Sequence, residues 1–263
     1  MRLDLVMLRR RLVESRSKAK GLIMAAQVFV DGTMIDKAGT MVLENCKIEI
    51  KHGSRYVSRG GIKLEAALKE WRVSVHNQVC ADVGISTGGF TDCMLQHGAS
   101  RVYGIDVGKG VVHWKLRQDE RVRLLESTNA RYLGKLPEEP SVVTIDVSFI
   151  SIRLVIDKVR EWLKDEGGYI LALIKPQFEA GIKDVGKGGV VRSGKVHRRV
   201  VSSVLDYSIG IGLRPLGLIK SPLLGPAGNK EFMAYLSNIS TEVSVDPQRL
   251  IGSVMEETDD SSR

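Results

Sequence analysis

The sequence predicts an α/β protein in which a small α+β module precedes a larger, doubly wound and mostly parallel sheet. Three observations lead to this prediction. Apolar segments of strand length alternate with helical segments across residues 62–240. Residues 1–51 differ, because two helical segments and short apolar strands occupy a brief stretch. The polar, glycine- and serine-containing segment 52–61 lies between the two patterns and is predicted to be a linker.

The distribution of charge supports the same division. The chain has 263 residues, 43% of them hydrophobic, and a formal net charge of +8. Residues 1–60 contain 12 lysines and arginines against 6 acidic residues, whereas residues 61–263 contain 27 against 25. A basic first quarter beside a nearly neutral remainder indicates a polyanion-binding module joined to a second domain. A solvated basic surface without a ligand is the alternative interpretation.

Composition disfavours several classes of protein. The cysteines Cys46, Cys80 and Cys93 include no CxxC pair, which favours buried thiols in a reducing compartment over disulfides or a metal site. The first residues lack the uninterrupted apolar run of an export signal. The most apolar stretch, Ile209–Leu224, is interrupted by charged residues and prolines, unlike a membrane span. We therefore expect a cytoplasmic protein with no membrane partner and no metal.

The N-terminal module is predicted to contain two helices and a small sheet. Apolar residues recur at roughly helical spacing over Leu3–Leu12, and a second helix is predicted over Arg16–Met24. Val28–Val30 and Ile48–Ile50 have the composition of short strands, and the Asp-Gly dipeptide after the first of them is a tight-turn signal. Such a module is too small to be an enzyme by itself.

The larger domain is predicted to alternate strands and helices. Its strands are Val79–Val83, Val102–Asp106, Val122–Leu125, Val142–Asp146, Tyr169–Lys175, Leu216–Ser221 and Phe232–Leu236. Its helices are Ile62–Trp71, Phe90–His97, Ile152–Lys164 and Val196–Ile211. The connection LLGPAGNKE between the last two strands is too short for a crossover helix, so this pair is predicted to be antiparallel. Residues 241–263 form a C-terminal extension whose acidic end, EETDDSSR, is predicted to be disordered.

A glycine-rich turn follows the first strand of the larger domain, in the segment ADVGISTGGF. In a doubly wound sheet this turn lies where nucleotide-like ligands bind, because glycines let the backbone approach the ligand closely. Asp106 ends the second strand and is placed to accept hydrogen bonds from an adenosine ribose. The turn lacks the GxGxxG pattern, and the carboxylate of Asp82 suits a cationic amino group, so S-adenosylmethionine is favoured over NAD. A glycine turn without a ligand is the alternative. The predicted cofactor-binding residues are Asp82, Gly84, Ser86, Gly88, Gly89, Phe90 and Asp106.

Four charged residues of the larger domain occupy positions where apolar ones are expected. One opens the helix before the first strand, and three lie at strand ends. Strand ends at the carboxyl edge of such a sheet line its binding crevice, so these side chains are candidates for catalysis. Taken singly, a lysine at a strand end more often extends into solvent. The four residues are Lys63, Asp146, Lys175 and Glu231.

Residues 189–195, GVVRSGK, match most of a phosphate-binding P-loop. The next residue is Val196, where a P-loop has the serine or threonine that contacts magnesium. The segment also lies late in the chain, after the fifth predicted strand. We interpret it as a flexible basic loop with no role in nucleotide hydrolysis.

Across nearly its whole length the chain resembles the TlyA family of RNA methyltransferases. The first part, RLDLVMLRRRLVESRSKAKGLI followed by VFVDG, resembles the S4 RNA-binding module, which tRNA synthetases and pseudouridine synthases also carry. The second part resembles the FtsJ/RrmJ-type catalytic domain in the segments YVSRGGIKLEAAL, DVGISTGGF, IDVSFIS and ALIKPQFE. The combination is highly specific and implies a Rossmann-like methyltransferase sheet.

This resemblance implies S-adenosylmethionine-dependent methylation of a ribose 2'-hydroxyl in ribosomal RNA, with ribosomal subunits as partners and without a metal. Matched motif by motif, Lys63, Asp146, Lys175 and Glu231 form the catalytic tetrad. We expect Lys175 to act as the general base and Lys63 to steady the developing alkoxide. Asp146 would position Lys175 and the methyl donor, and Glu231 would orient Lys63 or the ribose. The candidate phosphate contacts in the S4-like module are Arg2, Arg10, Arg16 and Lys20.

Two other functions stay open on the sequence alone. The first alternative is a haemolysin, that is, a membrane-active toxin, because the family name is associated with that activity. No membrane-spanning, lytic or export segment is recognisable in the sequence. A non-catalytic S4 ribosome-binding factor with a degenerate methyltransferase fold is the other, although the tetrad and the glycine turn are intact. Binding of S-adenosylmethionine, followed by methyl transfer to isolated ribosomal subunits, distinguishes these functions.

Overall fold

The computed structural model describes residues 1–24, 26–50, 55–164, 167–239 and 245–259. The chain divides into two compact units, Met1–Arg59 and Gly60–Arg263. This boundary falls inside the segment predicted as a linker, because residues 60 and 61 already belong to the first helix of the second unit. The predicted linker is therefore shorter than expected, and residues 51–54 lie outside the described part of the chain.

The first unit pairs two helices with a three-stranded antiparallel sheet. The helices are α1 (Leu3–Arg9) and α2 (Arg16–Met24). The strands are β1 (Val28–Val30), β2 (Thr33–Ile35) and β3 (Ile48–Ile50), in the order β2-β1-β3. Leu3, Met7, Ile23 and Val28 are fully buried in its apolar core. Helix α2 and strands β1 and β3 have the predicted bounds, and helix α1 begins at its predicted first residue.

Two details of the first unit differ from the sequence prediction. Strand β2 was not predicted, and it forms because Asp31 and Gly32 both have positive φ, 49° and 80°, as a tight hairpin turn requires. Helix α1 ends at Arg9, three residues before its predicted end. Arg11 adopts φ 57°, a left-handed conformation that cannot continue a right-handed helix.

The second unit contains one seven-stranded sheet flanked by helices. Its strands are β4 (Val79–Val83), β5 (Arg101–Ile105), β6 (Val122–Leu125), β7 (Val142–Ile145), β8 (Tyr169–Ile174), β9 (Arg214–Lys220) and β10 (Phe232–Ser237). Its helices are α3 (Gly60–Trp71), α4 (Gly89–Gln96), α5 (Trp114–Arg117), α6 (Arg153–Arg160), α7 (Pro176–Glu179), α8 (Gly194–Gly210) and α9 (Pro247–Asp259). Within the described residues, no helix combines the length and apolarity needed to cross a bilayer.

The strand order is β6-β5-β4-β7-β8-β10-β9. Strands β4 to β8 are parallel, whereas β10 is antiparallel to both β8 and β9. This topology confirms the predicted doubly wound sheet and its antiparallel final pair. The chain leaves β4 toward β5 and β6, and then returns to continue on the other side with β7. The carboxyl ends of β4 and β7 therefore border the crevice where such sheets bind ligands.

The centre of the sheet is apolar on both faces. Five consecutive residues of β8, 170–174, are fully buried, as expected for an inner strand covered by helices on both sides. Apolar side chains of α6, α8 and α9 pack with strand residues in one continuous core. This rigid sheet fixes the positions of the side chains that follow its strands.

The C-terminal extension contains helix α9 (Pro247–Asp259), which reaches into the acidic segment EETDDSSR. The disorder of that acidic end stays a prediction. The helix is anchored by Ile251, which is fully buried in the core of the second unit. Residues 241–244 and 260–263 lie outside the described part of the chain.

Candidate active site

The four candidate catalytic side chains form two ion pairs at the carboxyl edge of the large sheet. Lys63 Nζ lies 2.5 Å from Glu231 Oε2, and Lys175 Nζ lies 2.6 Å from Asp146 Oδ1. The Lys63 and Glu231 side chains are only 8% and 0% exposed, whereas those of Lys175 and Asp146 are 12% and 23% exposed. A reacting group can therefore reach the second pair more readily than the first.

The sheet topology brings these residues together. Asp146 follows β7 and Lys175 follows β8, and these two strands are parallel neighbours. Glu231 immediately precedes β10, whose first residue, Phe232, pairs with the last residue of β8. Lys63 lies near the start of α3. The antiparallel direction of β10 thus places its amino end beside the carboxyl ends of the parallel strands.

Two buried carboxylate oxygens of this cluster retain acceptor capacity. Lys175 Nζ donates a hydrogen bond to Ser148 Oγ at 2.9 Å, whereas its approach to Asp146 Oδ1 lacks hydrogen-bond alignment. Glu231 Oε1 is likewise buried and has no hydrogen-bond partner among the described residues. A buried acceptor without a donor costs about 1–3 kcal/mol, which is tolerated where a ligand supplies the donor.

The glycine turn after β4 is shaped by its contact with the end of β7. Gly84 has φ +85°, and a Cβ added there would lie 2.5 Å from the carbonyl oxygen of Asp146. Only glycine fits this close approach. Ser86 also has positive φ, 49°, and its backbone N–H donates to Asp106 Oδ2 at 2.8 Å. The turn therefore connects the ends of three neighbouring strands.

A cavity of about 350 Å³ opens between these strand ends. Among the predicted site residues, Gly84, Ser86, Asp106 and Asp146 line it. Sequence reasoning missed the residues that follow β6 and β7. A sequence signal was present, because both segments follow predicted strands at the same edge of the sheet. The missed lining residues include Thr128, Asn129, Ala130, Val147, Ser148, Phe149 and Ile150.

Asp106 faces this cavity with a fixed carboxylate. Its Oδ2 accepts from the backbone N–H of Ser86, and its Oδ1 accepts from that of Gly108 at 2.7 Å. Each carboxylate oxygen can accept more than one hydrogen bond. The side chain is thus oriented by the protein and still able to accept hydroxyl donors from a ligand.

Asp82 does not occupy the position expected from the sequence. It is 1% exposed and absent from the cavity lining. Its Oδ2 accepts from the backbone and hydroxyl of Thr91, and its Oδ1 accepts from the hydroxyl of Thr144. Burial raises the pKa of Asp82 to about 6, against the lowering effect of these hydrogen bonds. We therefore correct its assignment from a cofactor contact to a residue that joins β4 to α4 and β7.

Three further residues of the glycine segment shape the turn without lining the cavity. Gly88 is the N-cap of α4 and has φ +98°, a left-handed conformation that favours glycine. Gly89 and Phe90 begin the helix, and both are buried. None of the three lines the cavity, so their role as direct cofactor contacts stays a prediction.

Glu179 holds the loop after β7 in place. Its carboxylate accepts hydrogen bonds from Ser151 Oγ at 2.6 Å and from the backbone N–H of Ile152 at 2.7 Å. The Glu179 side chain is only 2% exposed. Since Glu179 ends the short helix that begins after Lys175, it ties the loop to the segment carrying the candidate base. This role of Glu179 was not predicted from the sequence.

Phe149, in the same loop, is exposed at the edge of the cavity. It is 88% exposed and has φ +66°, a strained conformation for a bulky residue. Its ring lies 5.1 Å from that of Phe178, and Lys175 Nζ lies 6.0 Å from the Phe178 ring. A strained backbone conformation and an exposed aromatic ring do not stabilise the fold. This conformation therefore suggests a functional role for Phe149.

The candidate RNA contacts of the first unit are partly engaged within that unit. Arg2 and Arg16 both bind the buried carboxylate of Asp4, at 3.0 and 2.8 Å. Arg2 and Arg16 together hold the pKa of Asp4 at about 2, well below its usual value, although its burial acts in the opposite direction. Arg10 donates to the carbonyl of Cys46 at 2.7 Å, and Lys20 is exposed. Arg2 and Arg16 remain 43% and 45% exposed and keep donors facing solvent.

The three thiols are free and buried, as predicted. Burial raises the pKa of Cys80 to about 12, so this thiol stays protonated and unreactive. Across the described residues, no group of three or more histidine, cysteine, aspartate or glutamate side chains is arranged to hold a metal ion.

Two protein families match this chain, one over most of each of its two units. The family of FtsJ-like methyltransferases matches residues 56–238, and the S4 domain family matches residues 1–46. The match to the methyltransferase family covers the two ion pairs, the glycine turn and the cavity.

Named relatives match over most of the chain. The 16S/23S rRNA (cytidine-2'-O)-methyltransferase TlyA of Mycobacterium tuberculosis is 39% identical, over 89% of this chain and 89% of that protein. Hemolysin A of Brachyspira hyodysenteriae is 40% identical, over 89% of this chain and 99% of that protein. A solved structure of a hemolysin-like protein from Streptococcus thermophilus has a TM-score of 0.74 and 39% identity, covering 99% of this chain and 97% of that one. The chain therefore belongs to the TlyA family, with an S4 domain followed by an FtsJ-like methyltransferase domain.

Proposed function

We propose that this protein transfers the methyl group of S-adenosylmethionine to a ribose 2'-hydroxyl of ribosomal RNA. The observation that carries the proposal is the accessible pair of Lys175 and Asp146 beside the cavity at the sheet edge. The relative named for cytidine-2'-O methylation of 16S and 23S rRNA supports the substrate class. Such a substrate implies that the protein works in the cytoplasm, where ribosomes are assembled.

The chemistry of the cavity fits this cofactor. Asp106 offers a fixed carboxylate to the two ribose hydroxyls of an adenosine, and the close-packed turn at Gly84 leaves its backbone at the cavity wall. Asn129 and Ala130, after β6, line the same cavity as Asp106. When bound, S-adenosylmethionine supplies the electrophilic methyl group of the reaction. Asp146, whose Oδ1 accepts no hydrogen bond from the described residues, borders both the cavity and the candidate base.

We assign Lys175 as the general base. A ribose hydroxyl is a poor nucleophile, and Lys175 Nζ, once neutral, accepts its proton as the oxygen attacks. Asp146, 2.6 Å away, then stabilises the positive charge that Lys175 gains. Ser148 accepts a hydrogen bond from Nζ and orients it toward the cavity edge.

The buried pair of Lys63 and Glu231 is proposed to stabilise the charge that develops in this reaction. Lys63 is held by Glu231 at 2.5 Å and provides a fixed cation close to the carboxyl ends of the strands. A fixed, water-excluded cation stabilises a developing alkoxide better than a solvated one, because no reorganisation is needed during the reaction. Glu231, whose side chain is fully buried, fixes the position of Lys63.

The proposal is tested with the purified full-length protein, isotopically labelled S-adenosylmethionine and isolated small and large ribosomal subunits. We expect label in ribosomal RNA, and nucleoside analysis should locate it on a ribose 2'-oxygen. Label on a base would contradict the ribose assignment. Tight subunit binding without any label would instead point to a non-catalytic ribosome-binding factor. The alternative function as a hemolysin is supported only by the names of relatives. The two ion pairs at the sheet edge favour an enzyme that transfers a chemical group.

Phe149 is expected to hold the target nucleotide by stacking on its base. Stacking of a base on an aromatic ring contributes about 1–3 kcal/mol, so Phe149→Ala should lower kcat/KM for subunits roughly tenfold to a hundredfold. The free energy of unfolding should hardly change, because the ring is 88% exposed. Trp114→Ala is the control, since Trp114 is also exposed but does not line the cavity. Equal losses in both variants would exclude a specific role for Phe149.

A further inference from the structure

A second basic surface lies on the methyltransferase unit, outside the S4 domain. It is formed by the loop between α7 and α8 and by the first two turns of α8. We call it the loop–α8 surface, and it includes the segment interpreted from the sequence as a flexible basic loop. Its cationic side chains, all exposed, are Lys183, Lys187, Arg192, Lys195, Arg198 and Arg199.

This surface concentrates the positive charge of its unit. Residues 183–199 contain six lysines and arginines against one acidic residue, Asp184. Residues 61–263 as a whole contain 27 against 25, so acidic residues outnumber basic ones in the rest of the unit. Only Arg199, which pairs with Asp184, has an ion-pair partner among the described residues of this surface. Like charges held together repel one another, so such a concentration is unfavourable for the isolated fold.

Hydrogen bonds fix the loop to the active-site edge of the sheet. The side chain of Asn229, 1% exposed, accepts from the backbone N–H of Val191 at 2.9 Å and donates to the carbonyl of Gly189 at 2.8 Å. His197 Nε2 lies 3.1 Å from the carbonyl of Val191. Asn229 stands two residues before Glu231. The basic loop is therefore held in place by hydrogen bonds to the segment that precedes β10 and contains Glu231.

A groove of about 840 Å³ runs along α8 as far as Asp206. Lys195, Arg198 and Arg199 line it, together with one acidic residue, Asp206, and with neutral groups that include the amide of Gln248 on α9. The net charge of this lining is positive, and cations interspersed with hydrogen-bonding groups suit a phosphodiester backbone, which offers one negative charge per nucleotide.

We infer that the loop–α8 surface is a second RNA-contacting surface, which binds phosphates of the ribosomal RNA close to the target nucleotide. This inference rests on the proposed function, because a ribose at Lys175 brings the flanking phosphates to the same edge of the sheet. RNA is favoured over an acidic protein segment because Asn229, which holds the loop, lies two residues before Glu231 at the sheet edge where the proposed polyanionic substrate would react. The S4 domain and this surface would then bind one RNA at two places.

The test is the double variant Lys195→Gln/Arg198→Gln in the full-length protein. Each lost phosphate contact reduces the salt dependence of binding by about one unit of the logarithmic slope, so a total decrease of roughly two is expected. Affinity for ribosomal subunits and for protein-free ribosomal RNA should fall roughly tenfold or more at moderate salt. S-adenosylmethionine affinity should equal that of the unmodified protein, which verifies that the fold is intact.

The matched control is Lys69→Gln/Lys164→Gln, which removes two exposed positive charges elsewhere on the same unit. Lys69 lies in the last turn of α3, before β4, and Lys164 lies shortly before β8, so both are at the amino edge of the sheet.

Equal losses in the two double variants, or none in either, would overturn the inference. Weaker binding to subunits with unchanged binding to protein-free RNA would show a protein partner and also overturn it. If the unmodified protein methylates subunits and the Lys195→Gln/Arg198→Gln variant binds them normally, only this inference fails. If the unmodified protein neither binds nor methylates them, the proposed function fails as well.

Discussion

Replacing Lys175 by arginine should abolish methyl transfer while leaving cofactor and subunit binding in place. Arginine keeps the positive charge but does not lose its proton in a protein, so it cannot act as a base. A proton-transfer group typically contributes about 10²–10⁴-fold, and the loss should be at least of this order. Single-turnover rates at saturating subunits measure it without interference from binding.

The opposing role for Lys175 is that of a fixed cation beside the reacting oxygen. In that role Lys175→Arg would stay within a few-fold of the unmodified rate, and Lys175→Gln would lose most activity. The base role predicts that both variants are inactive. Lys69→Arg, an exchange of an exposed residue in the last turn of α3, outside the tetrad, is the matched control. An active arginine variant would shift the base assignment to Lys63.

Replacing Asp106 by asparagine should weaken S-adenosylmethionine binding roughly tenfold to a hundredfold. The carboxylate is oriented by Ser86 and Gly108 and faces the cavity, and hydrogen bonds to a charged acceptor contribute about 1.5–3 kcal/mol each. Calorimetric titration with the cofactor measures the change, and RNA affinity should stay nearly constant. An unchanged cofactor affinity would show that the adenosine lies elsewhere.

Asp82→Asn is the matched control for this experiment. Asp82 is also a carboxylate of the glycine-turn region, but it is buried against Thr91 and Thr144, so cofactor affinity should stay within about threefold. A loss as large as that of Asp106→Asn would restore the direct contact expected from the sequence.

The same variant isolates a pH dependence of stability. The pKa of Asp82 is raised to about 6 in the folded state, so the folded protein binds more protons than the unfolded chain between about pH 4 and pH 6. The free energy of unfolding should therefore fall as the pH rises through this window, by up to about 3 kcal/mol from this group. Asp82→Asn should lack this decrease, which denaturant titrations at pH 4 and pH 7 would detect.

The order of the strands and helices could be predicted because it depends on patterns of neighbouring residues. Apolar runs at β4, β7 and β8 mark inner strands, and the short connection before β10 excludes a crossover helix. The glycine at position 84 and the acid at position 106 follow from the same alternation, because strand ends of a parallel sheet meet at one edge. These inferences need only neighbouring residues, and the sequence determined them by itself.

What only the tertiary structure decided depends on contacts between distant residues. Lys63 and Glu231 are 168 positions apart, and their direct pairing follows from β10 lying antiparallel beside β8. The burial of Asp82 depends on Thr144, 62 positions away, whose hydroxyl competes with any ligand for the carboxylate. The strained, exposed ring of Phe149 likewise follows from how a loop is held at both ends. Local patterns fix which residues reach the sheet edge, whereas hydrogen bonds across the sheet fix which of them face the ligand.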